Sequence, residues 1–150
     1  MWTVMKHLYP DAGIPVVQLS IDSRLDARQH FELARKLRPL RDEGVLVAGS
    51  GNIVHNLRLM SREHADQIGT GYAWAFEFAY RINQALVQGD NDTLTNYLRL
   101  GDAAALSVPT PEHYLPLLYI AALRDEGEPV ELFNDTLVGG SLSMTSVKVG

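Results

Sequence analysis

The chain has 150 residues, 46% hydrophobic and 21% charged, with a net charge of −5 and no cysteine. That length suits one domain with its own core. The acidic balance and scattered basic residues argue against nucleic acid as a partner. Lack of cysteine removes disulfides and thiolate chemistry, so any metal must rest on His, Asp or Glu. No apolar run reaches the ~18 residues of a membrane span, and the start carries no signal-peptide pattern, so a cytoplasmic location is expected.

Residues 1–9 have apolar groups at Met1, Met5 and Leu8 in helical spacing, and Tyr9-Pro10-Asp11-Ala12-Gly13 is turn chemistry. Ile14 to Ile21 has the few polar interruptions of a strand covered on both faces. Asp26 with Gln29 three positions on predicts a capping box. Phe31, Leu33, Ala34, Leu37 and Leu40 then predict an amphipathic helix that Pro39 kinks and Gly44 ends. Arg35, Lys36, Arg38 and Arg41 read as its solvated face. Val45 to Ala48 is a second strand, giving strand–helix–strand with room for a parallel crossover.

Gly49-Ser50-Gly51 breaks that strand and delivers Asn52, His55, Asn56 and Arg58. Residues 53–60 predict a helical turn and 61–72 a polar loop or lid. Ala73 to Gln88 is a helix with Trp74, Phe78, Ile82, Ala85 and Leu86 on one face, closed by Gly89. Asp90 caps a shorter helix reaching Leu100, and 101–110 is loop. Thr110-Pro111-Glu112-His113 is a helix start with Thr110 as N-cap; Leu115, Leu118, Tyr119 and Ala122 form the buried face. Pro116 can bend its beginning, and Asp125 to Gly127 ends it. Val130–Phe133 and Leu142–Val149 close the chain as strands.

A histidine placed after a strand and a glycine turn stands where α/β proteins put reactive groups, and His55 held neutral could serve as a general base; the bland alternative is a surface histidine. His113, third in its helix, faces first-turn N–H groups that disfavour imidazolium, which suits a metal ligand; local hydrogen bonding is the competing reading. Glu112 and Asp92 are further carboxylates without a defining spacing, and His7, His30 and His64 look incidental. Gly49-Ser50-Gly51 lacks the third glycine and the Lys-Ser/Thr of phosphate loops, and Ser50 lacks the context of a hydrolase nucleophile.

Five segments carry a resemblance that spacing alone does not: residues 9–22, 40–47, 50–58 (Ser-Gly-Asn-Ile-Val-His-Asn-Leu-Arg), 109–119 (Pro-Thr-Pro-Glu-His-Tyr-Leu-Pro-Leu-Leu-Tyr) and 140–147. In these the chain resembles the C-terminal portion of the class III extradiol ring-cleavage dioxygenases, in the DOPA 4,5-dioxygenase-like branch. The resemblance implies an α/β domain with a mixed central sheet flanked by helices, of which residues 1–150 are the C-terminal portion and an incomplete half. It implies a catechol-type diol and O2 as substrates, His55 as the acid–base residue, and His113 as one of three protein ligands to non-haem Fe(II) or Zn(II). Substrate-binding residues stay unassigned. Two further ligand histidines belong to an N-terminal portion of roughly a hundred residues, a length within one domain's range, to which nothing here corresponds. The expectation is therefore a chain inactive alone, prone to self-association through the Ile14 and Val45 strands; the competing class is a non-catalytic remnant acting as a binding or assembly module.

Overall fold

A computed structural model describes residues 2–65 and 67–150; Met1, counted above in the first helical stripe, lies outside the described residues. Helices dominate. In chain order they are α1 (Trp2–Leu8), α2 (Ala27–Arg35), α3 (Pro39–Asp42), α4 (Arg62–Ala65), α5 (Ala73–Gln88), α6 (Asn91–Thr95), α7 (Asp102–Ser107) and α8 (Leu115–Ala122). The strands are β1 (Val130–Phe133), β2 (Leu137–Val138), β3 (Leu142–Ser143) and β4 (Ser146–Val149).

Helix α8 is the centre because it has no polar face: Leu-Pro-Leu-Leu-Tyr-Ile-Ala-Ala offers apolar surface all round, and none of its residues is exposed. The amphipathic α2 packs on it through Phe31 and Ala34, and α5 contributes Phe78, Ile82 and Leu86 to the same core. The capping box at α2 is as the sequence predicts, with the Gln29 N–H donating to Asp26 Oδ1 (2.7 Å) and the Asp26 N–H to Gln29 Oε1 (2.9 Å). Gly89 ends α5 in the left-handed conformation, φ 73°. Pro39 opens a new turn rather than kinking a continuous helix. The basic cluster is not merely solvated: Arg38 pairs with Asp42 and Asp125, and Arg41 with Glu128 (2.8 Å), clamping α3 to the turn after α8.

The mixture of helices and sheet holds, but the described strands form two small antiparallel pairs, β1 with β4 and β2 with β3, rather than one central sheet. The two segments expected as parallel strands, 14–21 and 45–48, have no strand partner among the described residues. Their composition is strand-like, yet a strand exists only as part of a ladder, and these residues contain no second strand for it. Three further differences are local. Asp-Ala-Ala-Ala-Leu, expected as loop, forms α7 because three alanines after Gly101 favour helix and Ala104 is fully buried. The lid region contains α4. The final strand is split at Met144-Thr145.

Candidate active site

Residues 52–56 are held like an irregular third strand against β3. The Ser143 N–H donates to the Val54 carbonyl (3.0 Å), and the Val54 N–H donates to Ser143 Oγ (2.9 Å). Beside them the Asn56 N–H donates to the Ser141 carbonyl (3.1 Å), and Ser141 Oγ donates back to the Asn56 carbonyl (2.7 Å). Asn52 Nδ2 reaches the Ser143 carbonyl (2.6 Å), and Asn56 Nδ2 the Leu106 carbonyl (2.7 Å). The two asparagines of the polar cluster are thus structural, and Arg58 is exposed. His55 lies between them, its N–H on the Ser107 carbonyl (2.8 Å), paired across to Leu142.

His113 comes from a separate element. It ends a single 3-10 turn, Pro111–His113, just before α8. Thr110 has the extended backbone of an N-cap but caps nothing with its side chain; its hydroxyl donates to Glu112 Oε1 (2.6 Å). The helix-dipole argument for a neutral His113 therefore loses its basis. What places this histidine is the glycine turn. The Asn52 N–H donates to the His113 carbonyl (2.8 Å), and a Cβ built on Gly51 would lie 2.0 Å from that same oxygen. One on Gly49 would lie 2.9 Å from the Pro116 carbonyl. The two glycines allow backbone against backbone, and the segment 49–52 is seated on the start of α8.

The result is that His55 and His113, 58 positions apart, stack with ring centroids 3.6 Å apart and planes 18° from parallel. Burial lowers the His55 pKa, repulsion from His113 lowers it further, and Glu112 opposes both. Glu112 is held below its ordinary value by the Thr110 hydroxyl, with attraction from both imidazoles adding to it, and its Oε1 lies 4.0 Å from His113 Nε2. The lowered pKa favours the neutral imidazole of His55.

These residues do not by themselves amount to a metal centre. Among the described residues no three His, Cys, Asp or Glu side chains converge on one point, whereas a metal that activates oxygen takes three protein donors with open positions. The other candidates lie elsewhere. Asp92 bonds to Asn96 and pairs with Arg99; His7 bonds to the Thr3 carbonyl. His64 bonds to Thr70 Oγ1 (3.0 Å), its ring meeting Tyr72 edge-on. His30 is fully buried rather than incidental: its Nδ1 faces Tyr119 Oη (2.9 Å) and its Nε2 the Asp22 carbonyl (3.1 Å), tying α2 to α8. Two more site residues, Ser141 and Ser143, were not predicted from the sequence; their signal is a serine on either side of Leu142 at the start of β3.

The family described as the catalytic LigB subunit of aromatic ring-opening dioxygenase matches residues 1–146. The chain belongs to this family. It is 47% identical to the 4,5-DOPA dioxygenase extradiol of Escherichia coli (strain K12), over 99% of this chain and 55% of that protein. It is 34% identical to the enzyme of the same name from Beta vulgaris, over 98% of this chain and 53% of that one. A crystal structure of an uncharacterized protein from Escherichia coli K12 superposes with a TM-score of 0.89 at 47% identity, over 99% of this chain and 61% of that one. The chain spans about half the length of the curated relatives it matches.

Proposed function

We propose that this chain carries the proton-transfer part and one metal donor of an extradiol dioxygenase that opens catechol-type, DOPA-like diols with O2. The observation that carries the reading is the stacked His55–His113 pair, formed by two segments brought together through a glycine turn, in a chain whose relatives are named 4,5-DOPA dioxygenase extradiol. His55 is the acid–base residue: kept neutral by burial and by His113, it accepts the proton of a diol hydroxyl and can return it to the opened product. His113 is one protein donor to a divalent ion, with the remaining donors supplied by polypeptide outside these 150 residues. Fe(II) suits oxygen chemistry on a site with open positions, and Zn(II) suits the same nitrogen donors. A non-haem metal, an aromatic diol and O2 are thus the proposed cofactor and partners, and a cytoplasmic setting fits them; among the described residues no helix is long and apolar enough to cross a membrane.

A second reading, a non-catalytic binding or assembly module, draws on the incomplete donor set. Metal analysis and oxygen-electrode measurements with a catechol separate the two. The dioxygenase reading predicts turnover once the rest of the relatives' length is supplied, and loss of that turnover in His55→Gln. Metal-loaded, complemented protein that consumes no oxygen with any of a panel of catechols would establish the module.

A further inference from the structure

One histidine outside the stacked pair is fixed in place with half of its ring chemistry unused. His64, in α4, is half-buried. Its Nδ1 meets Thr70 Oγ1 at 3.0 Å, and that hydroxyl donates to the Gln67 carbonyl, also at 3.0 Å. A hydroxyl has a single proton to give. Thr70 therefore accepts from His64, the neutral ring carries its proton on Nδ1, and Nε2 keeps a lone pair. Among the described residues nothing bonds that nitrogen.

The ring is seated on glycine beside the site. A Cβ built on Gly140 would lie 2.7 Å from His64 Cδ2 and 3.2 Å from Tyr72 Cε2. Backbone bonds tie the segment around His64 to this turn: the Ser61 N–H donates to the Gly139 carbonyl (3.0 Å), the Gly69 N–H to the Leu137 carbonyl (2.9 Å) and the Tyr72 N–H to the Gly140 carbonyl (3.1 Å). The chain leaving Gly140 then builds the site, with Ser141 bonded to Asn56 and Leu142 paired with His55. Two residues span at most ~7 Å, and a step between paired strands adds ~5 Å. His64 thus stands about as far from His55 as a catechol with a short side chain is long.

We infer that His64 determines specificity: its Nε2 accepts a hydrogen bond from an ammonium or amine group on the side chain of the diol held at His55. The inference rests on the dioxygenase reading for where the diol lies. The chemistry of the nitrogen selects the group. A carboxylate would bring lone pairs to a lone pair, whereas an ammonium brings three N–H donors. Tyr72 and Trp74, stacked 5.4 Å apart beside the ring, add aromatic surface that favours a cation. A metal would need further donors, and among the described residues none converge here.

The test compares two diols that differ only in the ammonium, L-DOPA and 3,4-dihydroxyphenylpropionate, by equilibrium dialysis against the chain complemented with the rest of the relatives' length. L-DOPA is expected to bind at least ~10-fold tighter, as for one hydrogen bond to a charged donor. His64→Leu should bring the ratio of affinities close to one, and His64→Gln, whose amide oxygen also accepts, should keep part of it. In the 150-residue chain alone, histidine ring NMR should show His64 protonated on Nδ1. An Nε2–H ring there, no binding of L-DOPA, equal affinity for the two diols, or a preference that survives His64→Leu overturns the inference. The last is what a purely structural histidine, held for its bond to Thr70, would give. A His64-dependent preference without ring opening supports the inference and sinks the dioxygenase reading; ring opening of both diols without preference does the reverse.

Discussion

Gly51→Ala should separate the two imidazoles while leaving both histidines in the sequence. The added Cβ would stand 2.0 Å from the His113 carbonyl oxygen and 3.0 Å from its carbon, so backbone must move. The shift breaks the bond from the Asn52 N–H to that carbonyl. Forcing one methyl into packed backbone costs ~1–3 kcal/mol, and a lost hydrogen bond adds ~1 kcal/mol. The sum, about 2–4 kcal/mol, corresponds to a fall in Tm of roughly 4–16 °C for a domain of this size. Gly13→Ala is the matched control: nothing lies within 4 Å of its built Cβ, so it should be neutral or stabilising by up to ~1 kcal/mol. Urea unfolding followed by circular dichroism gives both values, and histidine ring NMR reports whether the 55–113 stack opens. Equal stability of the two variants, with the stack intact in both, would refute the argument that glycine is needed for this approach.

Other outcomes follow from particular bonds. Ser143→Ala removes the acceptor of the buried Val54 N–H and should cost about 1–3 kcal/mol by urea unfolding. Tyr119→Phe takes the hydroxyl from His30 Nδ1 and should cost ~1 kcal/mol in the same assay. Arg41 holds the Glu128 carboxyl down to about 2 from 4.5. A carboxylate lowered on folding adds stability above its unfolded pKa that is lost as pH falls through the folded one. Stability should therefore decline between about pH 5 and 2, and Glu128→Gln should flatten that limb. In metal-free buffer His55 should titrate below the ordinary histidine value, and His113→Gln should raise it only part of the way, because burial outweighs the repulsion.

The helical frame was legible wherever a local signal sufficed. The Asp26–Gln29 box, the α5 stripe and the Gly89 stop are all decided within a few residues, and the structure keeps them. The unformed strands at 14–21 and 45–48 show the limit of local reading: composition marks a stretch as strand-like, but pairing depends on a partner that these residues do not contain. His30 was misjudged because its charged neighbours in sequence point elsewhere, while Tyr119, which it meets, is 89 positions away. The setting of His55 after Gly49-Ser50-Gly51 is legible in the sequence; the role of the glycines is not. They serve the approach of one backbone to another, not a phosphate. Thr110 looked like an N-cap and has the backbone of one, yet its hydroxyl is taken by Glu112.

Oxygen uptake with a catechol, measured on the Fe(II)-loaded chain alone and on the chain complemented with the relatives' unmatched portion, tests the central claim most directly. The claim predicts no stoichiometric iron and no turnover for the 150 residues alone. It predicts turnover for the complemented protein, falling ~10²–10⁴-fold in His55→Gln as for loss of a general base. One equivalent of bound iron and sustained ring opening by the pure chain, or full activity of the complemented His55→Gln variant, would contradict it.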